Sequence, residues 1–147
     1  MPDLKFNAKG VSESPARIKV STRNFSIIVD EPPQLGGSDA GPNPVEYLLA
    51  ALIGCMNVVG HLVAREMGFN IEALAIDAEG VLNPERLMNK PTSDRAGYKV
   101  VRVALRVKSD ADAETLAAWA EAVERRCPVS DNLGNATPVH IDVQPEQ

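Results

Sequence analysis

The sequence has 147 residues, enough for one domain of ordinary size with a substantial buried core. Aromatic residues make up only 4% of it against 44% hydrophobic residues, so that core must be built from Val, Ile, Leu and Ala. A net charge of −5, with no cluster of Lys and Arg, excludes the basic footprint of a nucleic-acid binder. The opening MPDLKFNAKG has no apolar run of the kind a secretory signal carries, so a cytoplasmic protein is expected.

The first thirty residues alternate apolar and polar side chains. Ile18 and Val20, then Phe25, Ile27 and Val29, read as strands of a half-buried sheet. From Asp30 to Pro42 the chain stacks Pro, Gly, Ser and Asp, a rigid loop of the kind that often lines a site. A helix is expected next. Asn43 can cap it, Pro44 suits its first position, and Glu46 falls three residues after the cap. Gly68 is the natural stop.

The stretch from Val45 to Val63 is about long enough to span a bilayer. It is broken by Glu46, Asn57, His61 and two glycines, and so reads as a core helix rather than a membrane span. Its apolar residues occupy nearly every face, which predicts burial on all sides. A monomer of this size has difficulty surrounding such a helix, and a dimer interface is expected.

Ile71 to Val81 reads as a strand, Asn83 to Gly97 as loop or frayed helix, and Lys99 to Val107 as the strongest strand of the chain. Ser109 or Asp110 is expected to cap a helix over Ala111 to Arg126. A short helical or irregular piece follows, with a turn at Asp131–Asn135, and then a last strand at Val139–Val143. The order argues for an α+β fold with antiparallel sheet, in one domain over 1–147.

The only two cysteines are Cys55, in the apolar helix, and Cys127, after the second helix. They are too far apart in sequence to form a local metal motif. One reading is a dithiol that becomes a disulfide; the other is two buried, inert thiols. Cys55 lies too far from the start of its helix for the terminal field to lower its pKa. It therefore needs an arginine or another helix terminus nearby. Cys127 precedes Pro128, a good first helical residue, and follows Arg125 and Arg126, so it is expected to ionise readily.

The block Leu35-Gly-Gly-Ser-Asp-Ala-Gly-Pro-Asn-Pro-Val-Glu-Tyr-Leu-Leu-Ala-Ala-Leu-Ile-Gly-Cys55 and the block Cys127-Pro-Val-Ser130 together resemble the OsmC/Ohr family, closer to its OsmC-like branch. The resemblance implies a thiol peroxidase acting on organic hydroperoxides in oxidative stress defence, with no cofactor and no metal. It implies antiparallel sheets around a buried central cysteine helix, in an intertwined homodimer with sites at the subunit interface. Cys55 would be the peroxidatic thiol and Cys127 the resolving thiol, with a thiol or dithiol as reductant. The supporting arginine falls near Arg17, with Arg23 the competitor. The Ohr glutamate position holds Val45, and Glu46 comes one residue later, about 100° around the helix. The alternative is a non-catalytic OsmC-like stress protein that binds an apolar ligand or senses redox state.

The remaining candidates have plainer readings. His61 is expected to be a hydrogen-bonded helix histidine and His140 a structural residue of the last strand. Met56, Met67 and Met88 read as packing. Gly54 and Gly60 suit close helix–helix approach, and the Gly-rich loop lacks the pattern of a nucleotide site.

Overall fold

The structure, a computed structural model, describes residues 1–146. It contains strands β1 (Lys9–Ser12), β2 (Ile18–Thr22) and β3 (Phe25–Val29), then helix α1 (Pro44–Met67), strands β4 (Ile71–Leu82) and β5 (Tyr98–Ser109), and helices α2 (Ala113–Arg126) and α3 (Pro128–Gly134). A single 3₁₀ turn at Pro33–Leu35 interrupts the loop before α1. The α+β class and the antiparallel sheets match the expectation. The chain divides into two compact units, residues 1–50 and 51–147.

In the N-terminal unit, β1, β2 and β3 form an antiparallel meander in that order. The strand β1 was not anticipated; it is four residues long and fully exposed, so it carries no burial pattern. The loop after β3 is organised around Asp30, which is wholly buried. Its carboxylate accepts the N–H groups of Glu31 (2.8 Å), Ser38 (3.2 Å) and Ala40 (3.0 Å) and the Ser38 hydroxyl (2.8 Å). These bonds, with the Ala40 N–H first, outweigh burial and lower its pKa from 3.8 to about 2. Asp30 thus supplies the hydrogen-bond partners that a Pro/Gly-rich segment cannot supply to itself. Tyr47, in the first turn of α1, donates its hydroxyl to the Ile28 carbonyl at 2.7 Å and ties the helix start to β3.

The α1 cap forms as its sequence predicts. Asn43 Oδ1 accepts the Glu46 N–H, and Glu46 Oε1 accepts the Asn43 N–H, both at 2.9 Å. This is a reciprocal capping box. At the other end Gly68 adopts φ +81°, and Phe69 N–H returns to the Ala64 carbonyl at 3.1 Å, closing a Schellman turn.

The C-terminal unit holds the hydrophobic core. Leu52, Met56, Val59, Val63 and Ala64 of α1 pack with Trp119 and Val123 of α2 and with Cys127. The hairpin β4–β5 lays Leu74, Ile76, Val101, Val103, Leu105 and Val107 against that core while alternate residues face outward. Trp119 is 1% exposed and donates its indole N–H to the Gly60 carbonyl at 2.8 Å. A side chain at position 60 would meet its ring at 3.2 Å, so glycine permits the approach. Gly54, in contrast, meets nothing within 4 Å in this chain.

Four expectations need correction. First, α1 is buried on one stripe only; Val58 is 65% exposed, and the opposite face is open in the single chain. Second, α2 begins at Ala113 and not Ala111. Asp112 caps it by accepting the Thr115 N–H at 2.8 Å, while Ser109 takes the Ala111 N–H instead. Third, Asp131 to Gly134 continue α3 rather than forming a turn, because Cys127 and Pro128 start a helix that runs through them. Fourth, residues 139–143 form no strand. Val139, Ile141 and Val143 are 78%, 88% and 83% exposed, and His140 is exposed with them. The alternating pattern is present, but a strand also needs an edge to pair with. Met56 packs in the core, whereas Met67 and Met88 are exposed.

Candidate functional site

Cys55 lies on the buried stripe of α1, one residue before Met56, and is half-buried against the core. Cys127 ends α2 and starts α3, and it is completely buried. Both are free thiols. The fold brings them into one hydrophobic cluster, Cys127 within it and Cys55 packed against it, near enough that Cys55 raises the Cys127 pKa. Two residues distant in sequence are therefore side by side, as a dithiol reading requires.

The electrostatics of Cys127 differ from the expectation. Burial pushes its thiol pKa up from 9.0. The Ser130 N–H, which Sγ accepts at 3.4 Å as the α3 cap, pulls the other way, while the neighbouring Cys55 adds to the rise. Cys127 is thus held as a neutral thiol, although it occupies the helix start that suggested a thiolate. Desolvation of the charged form outweighs the N–H groups of a two-turn helix.

Arg17 and Glu46 belong to the N-terminal unit. Arg17 donates its Nε to Glu13 Oε1 at 2.9 Å. Its side chain lines an open polar depression of about 450 Å³ with Glu13, Ser14, Gly36, Gly37 and Ser38. Arg23, the alternative arginine, sits at φ +51° in the β2–β3 turn and stacks over the Phe25 ring at 4.9 Å. The Glu46 carboxylate is engaged in the capping box described above. His61 is the hydrogen-bonded helix histidine expected, its Nδ1 2.9 Å from the Asn57 carbonyl.

Sequence reasoning missed the residues that fasten α2 to α1. Arg126 forms a two-pronged ion pair with Glu66, NH1 to Oε2 at 2.5 Å and NH2 to Oε1 at 3.1 Å. Trp119 and Gly60 form the second fastening. Nothing local in sequence joins these partners; only the fold does.

A family model described as OsmC-like protein matches residues 36–142, most of the chain and both cysteines. The chain belongs to the OsmC-like family. No curated protein matches the sequence. Among solved structures, the OsmC-like protein of Mycoplasma pneumoniae is similar at 20% identity, with 90% of this chain and 89% of that chain covered and a TM-score of 0.78. An organic hydroperoxide resistance protein of Legionella pneumophila is similar at 20% identity, with 90% and 91% covered and a TM-score of 0.65. Another, from Elizabethkingia anophelis, is similar at 18% identity, with 88% of each chain covered and a TM-score of 0.65. At these identities the likeness shows the OsmC-like fold, and neighbours of that fold include proteins named for hydroperoxide resistance.

Proposed function

We propose that this OsmC-like protein is a thiol peroxidase that reduces organic hydroperoxides through a Cys55/Cys127 dithiol–disulfide cycle. The observation that carries the reading is the adjacency of the two thiols within one core. The Cys55 thiolate attacks the distal peroxide oxygen, the O–O bond breaks, and the departing alkoxide takes a proton to leave as alcohol. The Cys55 sulfenic acid then condenses with Cys127, and the sulfur–sulfur bond forms as hydroxide departs. That hydroxide takes the Cys127 proton and leaves as water. Because the thiolate is the stronger nucleophile, the raised Cys127 pKa slows this step, and its closeness to the sulfenic acid is what favours it; the proton passes to the departing hydroxyl as the sulfur–sulfur bond forms. Two equivalents of a small thiol, or one dithiol carrier, return the disulfide to the dithiol.

The family resemblance supplies the rest of the proposal. Arg17 would favour the Cys55 thiolate, with Glu46 as its carboxylate partner, in a cytoplasmic homodimer. The open apolar face of α1 and the unpaired, alternating tail at 139–143 support association with a second copy. The test is consumption of cumene hydroperoxide by purified protein with a dithiol donor. Wild-type turnover is expected, with Cys55→Ser inactive; undiminished turnover by Cys55→Ser would sink the mechanism.

One observation favours a second reading, a non-catalytic protein that binds an apolar ligand or senses redox state. The Glu46 carboxylate is already occupied by the Asn43 N–H. A co-purified ligand in native mass spectrometry, without rapid thiol loss after a stoichiometric hydroperoxide pulse, would decide for it.

A further inference from the structure

The proposed cycle needs more than two neighbouring thiols. A sulfenic acid at Cys55 is exposed to over-oxidation until Cys127 reaches it, so the rate of the second step depends on how firmly Cys127 is held. Its backbone position is set by the end of α2, because Cys127 is the cap of that helix. Arg126 is the last residue of α2, directly before it. Glu66 lies eleven residues after Cys55 on α1, about three full turns and roughly 16 Å along the helix, on the same face. The bidentate Arg126–Glu66 pair therefore fastens the residue before the resolving thiol to the face that carries the attacking thiol. The Trp119–Gly60 hydrogen bond sets the same two helices in register nearer their middles.

We propose that the Arg126–Glu66 pair is a positioning clasp for the dithiol, holding the Cys127 sulfur against Cys55 so that the disulfide closes before the sulfenic acid is lost. Arg126 and Glu66 act through Cys127 and touch no reacting atom. The inference rests on the two-cysteine reading but can be tested apart from it. The pair is partly exposed, with side chains 37% and 48% accessible, so its contribution to global stability is small. Its fork geometry is what suits it to fixing position. The chemistry needs no further reagent: Cys55–SOH and Cys127–SH give the disulfide and water.

The experiment uses the full chain and four forms: wild type, Arg126→Ala, Arg126→Glu, and the swapped double variant Arg126→Glu/Glu66→Arg. Two quantities are read by mass spectrometry. One is the Cys55–Cys127 disulfide equilibrium against glutathione. The other is dimedone capture of the Cys55 sulfenic acid after one equivalent of cumene hydroperoxide. In Arg126→Ala and Arg126→Glu the disulfide equilibrium should shift toward dithiol by roughly two- to fivefold, the limit set by what a partly exposed ion pair contributes. Dimedone capture should rise several-fold, while the rate of the first oxidation stays within about twofold of wild type.

The swap should restore both quantities, because it rebuilds the clasp with the charges exchanged. An unchanged glutathione equilibrium in Arg126→Ala overturns the clasp. So does a swap that fails to restore it, since the effect would then belong to the arginine charge acting on Cys127. Should Arg126→Ala lose its far-ultraviolet circular dichroism, Glu66→Gln carries the same expectations. Should wild type prove inert to hydroperoxide, the peroxidase reading falls, and the glutathione equilibrium alone decides the clasp.

Discussion

Replacing Trp119 by Phe tests whether the contact of α2 with α1 is as specific as its geometry implies. Trp119 is 1% exposed, packs edge-on to Phe69 with ring centroids 6.2 Å apart, and donates to the Gly60 carbonyl. Phenyl in place of indole removes about three buried heavy atoms, worth roughly 2 kcal/mol at about 0.8 kcal/mol per buried carbon. Loss of the indole hydrogen bond adds about 1 kcal/mol. The Gly60 carbonyl lies within α1 and keeps its helical partner, so no full orphan penalty is added. The expected loss is about 3 kcal/mol, read by urea unfolding followed by far-ultraviolet circular dichroism at fixed protein concentration. The slope of the transition should stay unchanged while the midpoint falls. A loss below about 1 kcal/mol would refute the reasoning, because it would mean the core closes around phenyl without the bond.

The other predictions concern charge and capping. The Asp30 carboxylate has a folded pKa of about 2 against 3.8 for an ordinary aspartate, so its contribution to stability is present above about pH 4 and is lost as pH falls toward 2. Asp30→Asn should flatten that part of the acid-unfolding profile; an unaltered profile would mean the Asp30 clamp is not what acid releases. Burial first, and the Cys55 sulfur after it, push the Cys127 thiol up. Thiolate absorbance should therefore show Cys127 titrating above an ordinary cysteine, and lower in Cys55→Ser than in wild type. Asn43→Ala should cost about 1 kcal/mol through loss of the α1 cap. Glu46→Gln should retain that stability, since its amide oxygen can still accept the Asn43 N–H, so any fall in peroxide turnover by Glu46→Gln would report chemistry rather than folding.

What was legible in the sequence was what is decided locally. The α1 start was readable because Asn43, Pro44 and Glu46 satisfy one another within one turn. Its end was readable because only glycine readily adopts the φ of Gly68. The strands β4 and β5 were readable because one face of each is buried against helices of the same unit. The tail at 139–143 carries an equally clear alternation and forms no strand. Alternation records which residues seek burial, but not where the pairing edge comes from. The breadth of the apolar surface on α1 is a related case. The sequence demanded cover on all sides, and the single chain covers one stripe, so the remaining demand is the physical reason to expect a second copy.

The Cys127 site shows where local reading gives the wrong sign. Pro128, the preceding arginines and a new helix start all favour a thiolate when considered in isolation. In the fold, Arg126 pairs with Glu66, and Cys127 is wholly buried in the hydrophobic core. Removing water from a charge is a larger effect than the few N–H groups that α3 offers, so the thiol stays neutral. That reversal changes the division of labour within the proposed cycle. A buried, protonated Cys127 makes a poor first nucleophile toward peroxide. It can serve second, because the sulfenic acid of the proposed cycle forms beside it and its proton passes to the departing hydroxyl as the disulfide closes. Cys55 is only half-buried, so within the proposed cycle it would be the first thiol to meet peroxide, and burial rather than either sequence block would set the order of the two steps.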